Sequence, residues 1–173
     1  MPQIIPASPW VERYCQRIPQ TATVLDLACG SGRHSRLLAG LGYQVLAVDR
    51  DQEALAGLRE VPGVVVQALD LEAASWPLAG ERFAGIVITN YLWRPHLPTL
   101  LAQLTAGGVL IYETFMLGNE AYGKPSNPEF LLRSGELRQI VKTAGLRELA
   151  FAEGYTATPW PAMRQAIVAE RVI

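Results

Sequence analysis

A glycine-rich stretch between two carboxylates is the feature of this sequence that points most directly to chemistry. Gly30 and Gly32 lie in this stretch, Asp26 precedes it, and Asp49 follows after a further apolar segment. A loop without side chains lets its backbone N–H groups and the start of the next helix approach a ligand. A carboxylate placed like Asp49 can accept hydrogen bonds from both hydroxyls of a ribose. The pattern therefore predicts a site for a nucleotide-like ligand.

Short apolar segments alternate with amphipathic ones along the chain, and this alternation predicts the elements that position the loop. Strands alternating with helices indicate a parallel sheet covered on both faces, whereas two final strands without a helix between them predict an antiparallel pair. The predicted fold is α/β, a Rossmann-like three-layer sandwich with a mostly parallel seven-stranded sheet and an antiparallel C-terminal strand pair. The predicted strands are 21–27, 44–48, 64–68, 84–89, 109–115, 146–152 and 163–171. The predicted helices are 8–18, 33–41, 52–59, 98–105 and 136–144, with a turn at Gly107-Gly108.

Composition places the chain among compact proteins with one core. Half of its 173 residues are hydrophobic and its formal charge is -1, so we expect a single domain over residues 1–173. The balanced charge disfavours nucleic acid as a partner. The absence of a secretory signal and of a long apolar run predicts a cytoplasmic protein without a membrane partner. Cys15 and Cys29 suggest neither a disulfide framework nor a metal site.

The nucleotide-like ligand could be a dinucleotide or S-adenosylmethionine. A dinucleotide fingerprint would place a third glycine where Ser35 stands, and no second domain remains for a hydride acceptor. These two features weaken the alternative of an NAD(P)-dependent oxidoreductase, but the glycine loop and Asp49 by themselves leave both cofactor classes open.

The strand ends resemble those of the class I S-adenosylmethionine-dependent methyltransferases over essentially the whole chain. Asp26, Gly30 and Gly32 fit the first motif of that family, with Ala28 in its first glycine place. The resemblance implies S-adenosylmethionine as the cofactor, with S-adenosylhomocysteine as its product, and it implies that Asp49 binds the ribose. It further implies that Asp70 and Leu71 contact the adenine and that Asn90 lies where the fourth strand meets the active site.

Two segments are predicted to contact the methyl acceptor. Tyr91 and Trp93 follow the fourth strand, and a long loop over 116–128, with Asn119 and Tyr122, follows the fifth. Long loops at this end of a parallel sheet often build substrate sites. The stretch Tyr112 to Leu132 also resembles small bacterial methyltransferases of the tellurite-resistance type, whose acceptors are poorly defined. The residues after Asn90 lack the two prolines typical of base-amine methyltransferases, which argues against methylation of nucleic-acid bases.

The implied reaction is transfer of a methyl group from a sulfonium to an acceptor, which needs alignment and exclusion of water but no obligatory catalytic residue. If a base is used, the candidates are Glu113, Tyr112 and His34. Without an appended recognition domain, we expect a small-molecule acceptor, or a partner protein that presents a larger substrate. A chain that binds S-adenosylmethionine without turnover, as a regulatory or scaffold module, is the alternative from another class.

Overall fold

The computed structural model describes residues 5–173 and has seven strands and five α-helices in this range. The strands are β1 Val24–Leu27, β2 Val45–Asp49, β3 Val64–Ala68, β4 Phe83–Thr89, β5 Leu104–Phe115, β6 Arg147–Thr156 and β7 Ala162–Glu170. The α-helices are α1 Pro9–Tyr14, α2 Arg33–Gly40, α3 Gln52–Ala56, α4 Leu97–Leu101 and α5 Glu136–Thr143.

All seven strands form one sheet in the order β3-β2-β1-β4-β5-β7-β6. The first five in this order are parallel, and β7 runs antiparallel to both of its neighbours, β5 and β6. Every residue of β1 is buried, as expected for a central parallel strand with both faces covered. Together with the helix layers, this arrangement confirms the predicted Rossmann-like fold and its antiparallel terminal pair.

Alternate residues of the strands pack against two helical layers. On one face, Val11 of α1 and Leu38 of α2 join a core cluster with Val87 and Ile111, and Leu55 of α3 packs against Ala47. On the other face, apolar residues of α4 and α5 form a larger cluster with Ile86, Leu110 and Tyr112. Because strand side chains alternate between faces, neighbouring residues of one strand end in different layers. This alternation decides which polar side chains reach the site.

Several boundary predictions were wrong, and for the helix predicted over 98–105 a tertiary contact gives the reason. The helix predicted over 98–105 ends at Leu101, since Leu104 already pairs with Phe83 in the sheet. Gly107 has a positive φ of 76° but lies inside β5, so the predicted turn is an irregularity within a strand. The helix predicted over 52–59 ends at Ala56.

The leading helix begins where the sequence predicts. The Ser8 hydroxyl accepts hydrogen bonds from the N–H groups of Trp10 and Val11, and Pro9 occupies the first turn, a position that needs no N–H donor. The α-helix ends at Tyr14 and a 3-10 turn continues over Cys15–Arg17. In the part of the chain from residue 5 onward, no helix combines the length and the apolar character needed to cross a membrane.

Candidate active site

The loop after β1 has a backbone that few side chains tolerate. Ala28, Gly30 and Gly32 have φ angles of 52°, 57° and 84°, in the left-handed region that glycine adopts at little cost. Gly32 is the N-cap of α2, and a Cβ there would lie 2.4 Å from the Leu58 methyl groups. The tight turn is therefore fixed both by backbone conformation and by packing against Leu58.

Asp49 holds this loop from the neighbouring strand. The Gly30 N–H donates to Asp49 Oδ2 at 2.8 Å, and the Asp51 N–H donates to Oδ1 at 3.0 Å. Each carboxylate oxygen has a second lone pair, so the group can accept further hydrogen bonds from a ligand. Asp49, and not the nearer Asp26, therefore holds an N–H group of the loop.

Asp26 is buried beneath the loop, and its carboxylate accepts a 2.6 Å hydrogen bond from the Ser35 hydroxyl. Burial raises the pKa of Asp26 to about 6, and hydrogen bonds from the Ser35 side chain and backbone partly oppose this rise. The side chain anchors the start of α2 to β1. Ser35 stands where a dinucleotide fingerprint would have its third glycine, and here it is the hydrogen-bond partner of Asp26.

A first cavity of about 430 Å³ lies at the carboxyl ends of β1, β2, β3 and β4. It brings together six residues that the sequence singled out, namely Ala28, Asp49, Asp70, Leu71, Asn90 and Tyr91. Asp70 accepts from the Glu72 N–H at 2.9 Å, which shapes the turn after β3. Asp26, Gly30 and Gly32 support this cavity from below or beside it and are not among its lining residues.

A second cavity, of about 400 Å³, adjoins the first and shares Asn90 with it. Its walls come from the segment Pro6–Trp10, from Arg33, from Glu113 and from Arg164. The segment is held in place by Arg33 Nη1, which donates to the Pro6 carbonyl at 2.8 Å, and by the Ser8 hydroxyl, which donates to Glu113 Oε1 at 3.1 Å.

Only one of the three base candidates lines either cavity. Alternation along β5 places Glu113 on the face covered by α1, whereas Tyr112 points into the opposite core, where its hydroxyl donates to the Tyr91 carbonyl at 2.8 Å. Burial raises the pKa of Tyr112. Tyr112 is therefore a core residue in this structure.

His34 is likewise structural. Its Nε2 accepts from the Ser8 N–H at 2.9 Å, and Nδ1 lies 3.4 Å from the Thr89 hydroxyl. Burial, with a smaller contribution from the nearby Arg33, lowers the pKa of His34 to about 3. The ring is thus neutral, and its acceptor nitrogen is occupied by the start of α1.

The predicted acceptor residues outside Tyr91 do not reach the cavities. Asn119 is buried, and its side chain donates to the Pro125 carbonyl and accepts from the Met163 N–H, which ties the 116–128 loop to β7. Tyr122 is exposed and packs against Tyr155, with 5.4 Å between ring centroids. Trp93 lines neither cavity. From this loop Pro125 does reach the first cavity, whereas the loop's polar candidates are used internally or at the surface.

Sequence reasoning missed Arg164. The residue lies on β7 within a run of buried residues and is itself 4% exposed. Nη1 donates to Asn90 Oδ1 at 2.9 Å, and Nε donates to the Thr156 hydroxyl at 3.2 Å. A charged residue in an otherwise apolar strand segment is rarely buried without a reason, and that anomaly in the sequence could have identified it.

A family model described as a methyltransferase domain matches residues 24–106. The chain is 36% identical over 114 residues to a protein-L-isoaspartate O-methyltransferase of Chlorobaculum tepidum, covering 61% of this chain and 50% of the relative. It is 28% identical over 93 residues to a probable S-adenosyl-L-methionine-dependent methyltransferase, TehB, of Haemophilus influenzae, covering 51% of this chain and 32% of the relative. The chain thus spans half or less of the length of these curated relatives.

The crystal structure of Haemophilus influenzae TehB superposes with a TM-score of 0.75 at 22% identity, over 94% of this chain and 61% of that one. This likeness shows a shared fold. Residues 24–106 thus match a methyltransferase domain, and the chain resembles the class I S-adenosylmethionine-dependent methyltransferases. The similarity to TehB confirms the predicted resemblance to methyltransferases of the tellurite-resistance type.

The match to a methyltransferase domain implies S-adenosylmethionine as the cofactor, and the first cavity has a suitable donor and acceptor set. Asp49 retains acceptor capacity, the left-handed backbone at Ala28 and Gly30 leaves room for close approach, and a Cβ at Gly30 would meet no atom within 4 Å. Among residues 5–173, no three or more histidine, cysteine, aspartate or glutamate side chains lie close enough together to hold a metal ion.

Proposed function

We propose that this methyltransferase transfers the methyl group of S-adenosylmethionine to a small-molecule acceptor, with the whole chain acting as one catalytic domain. The observation that carries the proposal is the shared wall of the two cavities at Asn90. The first cavity would hold the cofactor and the second the acceptor. Two reactants in adjoining cavities need only alignment and shielding from water, which is what a displacement at a sulfonium methyl group requires.

The roles of the cofactor residues follow from their positions. Asp49 would accept the ribose hydroxyls, Asp70 and Leu71 would contact the adenine, and the backbone around Ala28 and Gly30 would face the methionine moiety. Asp26 would act from below, by holding α2 through Ser35. The bound cofactor supplies an electrophilic methyl group on a sulfonium.

The protein's own contribution lies around Asn90 and Glu113. Asn90 is fixed by Arg164 and would separate and orient the two ligands. Glu113 is the base candidate that reaches a cavity, and we assign it the removal of a proton from an acceptor that must lose one. Its partner Ser8 holds the carboxylate against the acceptor side of the site.

The size and enclosure of the second cavity favour a small acceptor over a protein side chain. Pro6, Ala7 and Pro159 are among its lining residues, so the segment before α1 takes up space that a larger substrate would need. The Chlorobaculum relative is named for a protein substrate. The wall that this segment forms is the feature that argues for a different acceptor here.

Calorimetric titration of the purified protein with S-adenosylmethionine, S-adenosylhomocysteine and NAD tests the cofactor. We expect saturable binding of the first two at one site and none of NAD. Binding of NAD alone would replace the methyltransferase by the oxidoreductase alternative. Formation of S-adenosylhomocysteine with a panel of small acceptors then tests turnover, and tight binding without turnover across that panel would favour a non-catalytic module.

A further inference from the structure

Arg164, which lines the second cavity, carries a hydrogen-bonding group that has no partner. Its Nε and Nη1 are engaged by Thr156 and Asn90, but Nη2 is buried and has no hydrogen-bond partner among residues 5–173. A buried guanidinium N–H without a partner is costly. The unsatisfied edge of this side chain therefore indicates a missing acceptor.

The charged residues around Arg164 do not cancel the positive charge of the second cavity. Glu113 Oε1 lies 4.0 Å from Arg164 Nη1, beyond hydrogen-bond distance. Arg33 lines the same cavity and lowers the pKa of Arg164, although less than burial does. Both guanidinium groups stay charged, so two positive charges face one enclosed carboxylate. Glu12, the remaining charged residue of the lining, is exposed at the rim.

Apolar groups complete the wall. Pro9, Trp10 and Pro159 line the cavity, and the Arg164 guanidinium lies 4.6 Å from the Phe115 ring centroid and 5.3 Å from that of Trp160. Aromatic rings beside a guanidinium restrict its movement and keep its edge available for a planar partner. The cavity thus combines an apolar body with a positively charged end.

We propose that the second cavity takes an acceptor with a carboxylate group, which accepts a hydrogen bond from Arg164 Nη2. The inference rests on the proposed function and names its substrate class, a small organic acid. Guanidinium groups pair well with carboxylates because both are planar and the hydrogen bonds are charge-assisted. One net positive charge on the enclosed wall matches one carboxylate better than it matches a dianion such as phosphate.

The test is a titration of the full chain, saturated with S-adenosylhomocysteine, with benzoate, benzamide, benzylamine and inorganic phosphate. Quenching of tryptophan fluorescence is a suitable readout because Trp10 and Trp160 lie at the cavity or beside Arg164. We expect benzoate to bind roughly tenfold more tightly than benzamide, in keeping with one charge-assisted hydrogen bond. Benzylamine should not bind.

Two variants of the cavity wall should move the benzoate affinity in opposite directions. Arg164→Gln should reduce it to the level of benzamide, whereas Glu113→Gln should raise it several-fold because a like charge is removed. Arg138→Gln is the matched control, since Arg138 is an exposed arginine paired with Glu148, and it should leave the benzoate affinity unchanged. The change in benzoate affinity of Glu113→Gln tests the proposal even if Arg164→Gln does not fold.

Each contrary result overturns the proposal. Equal affinities for benzoate and benzamide, tighter binding of phosphate than of benzoate, or an unchanged benzoate affinity in Glu113→Gln would do so. Titration of S-adenosylhomocysteine alone separates this failure from that of the proposed function. If S-adenosylhomocysteine binds normally and the carboxylate preference is absent, only the acceptor class is wrong.

Discussion

The two cavities that meet at Asn90 are built in different ways. The first takes most of its lining from the ends of parallel strands, where Ala28, Asp49 and Leu69 each follow directly on a strand or end one. The second takes its walls from the segment before α1, from the start of α2, and from β5 and β7. Residues as distant in sequence as Ser8 and Glu113 are hydrogen-bonded there. The first cavity is thus formed mainly by residues of local sequence motifs, whereas the second is formed by segments that only the tertiary structure brings together.

The difference also concerns cost. Beneath the first cavity, a buried carboxylate and three left-handed residues support one tight loop. In the second, the costly group is a buried guanidinium with a free edge. At the first cavity, the free-energy cost of burial and backbone conformation falls on residues that support the loop. At the second, it falls on Arg164, a residue of the cavity lining.

The largest expected effect comes from Asp26→Asn. The pKa of Asp26 is raised from 3.8 to about 6, so the folded state binds this proton more tightly than the unfolded state. The cost of ionising Asp26 is absent below about pH 4, grows as the pH rises, and is complete above about pH 6. At pH 7 the variant should gain about 3 kcal/mol in free energy of unfolding.

Urea unfolding of both proteins from pH 4 to pH 7.5 checks this prediction, with Glu60→Gln, an exposed substitution, as the control. The difference between wild type and Asp26→Asn should widen with pH and then level off. Parallel curves would show that Asp26 is not strained by burial, and the contrast in cost between the two cavities would lose its main support.

A comparison of two glycine substitutions should give the next largest effect. Gly32→Ala places a Cβ 2.4 Å from Leu58, whereas Gly30→Ala places one in open space, and both residues have positive φ. Because overpacking adds to the conformational cost, Gly32→Ala should lose about 2 kcal/mol more stability than Gly30→Ala. Urea denaturation measures both losses. Equal losses would mean that backbone conformation alone fixes this loop.

Asp49→Ala should weaken the binding of S-adenosylhomocysteine by about thirtyfold, or about 2 kcal/mol, because it removes a charged acceptor from the first cavity. The change also leaves the Gly30 N–H without its partner. Calorimetry gives the affinity, and Glu53→Ala, on the exposed side of α3, is the control.

The same titrations can test whether the cavities are separate. Arg164→Gln should change the affinity for S-adenosylhomocysteine far less than Asp49→Ala does, since Arg164 touches the first cavity only through Asn90. Comparable losses in the two variants would indicate one continuous site.

Ala28→Gly should produce the smallest effect, a gain in stability of about 0.5 kcal/mol. Ala28 has a φ of 52°, which glycine adopts without the strain that a Cβ brings, although glycine costs more chain entropy on folding. Thermal unfolding is sensitive enough, with Ala68→Gly in β3 as a control that should lose stability. A loss in Ala28→Gly would show that the departure from the family's glycine is favourable here.

Much of the fold was predictable because burial on both faces makes β1, β2 and β4 continuous apolar runs, and β3 was predicted with its observed bounds. The site was predictable where ligand-facing residues come directly after such runs, as with Asp49 and Asn90. It was not predictable for Tyr112 and Glu113, which are adjacent in sequence. Strand alternation places Tyr112 in the core and Glu113 at a cavity. Only the pairing of β5 with its neighbours determines which of the two residues lies on which face.

The sequence by itself determined the order of strands and helices, the glycine loop and the acidic strand ends, because these depend on local backbone preference and on the period of the apolar pattern. The tertiary structure decided the partners of the polar side chains. Asp26 holds Ser35, Asn119 holds the loop to β7, and Arg164 reaches Asn90 from the far end of the chain. Such pairings depend on which strands and segments lie side by side, and the apolar pattern specifies burial without specifying the neighbour.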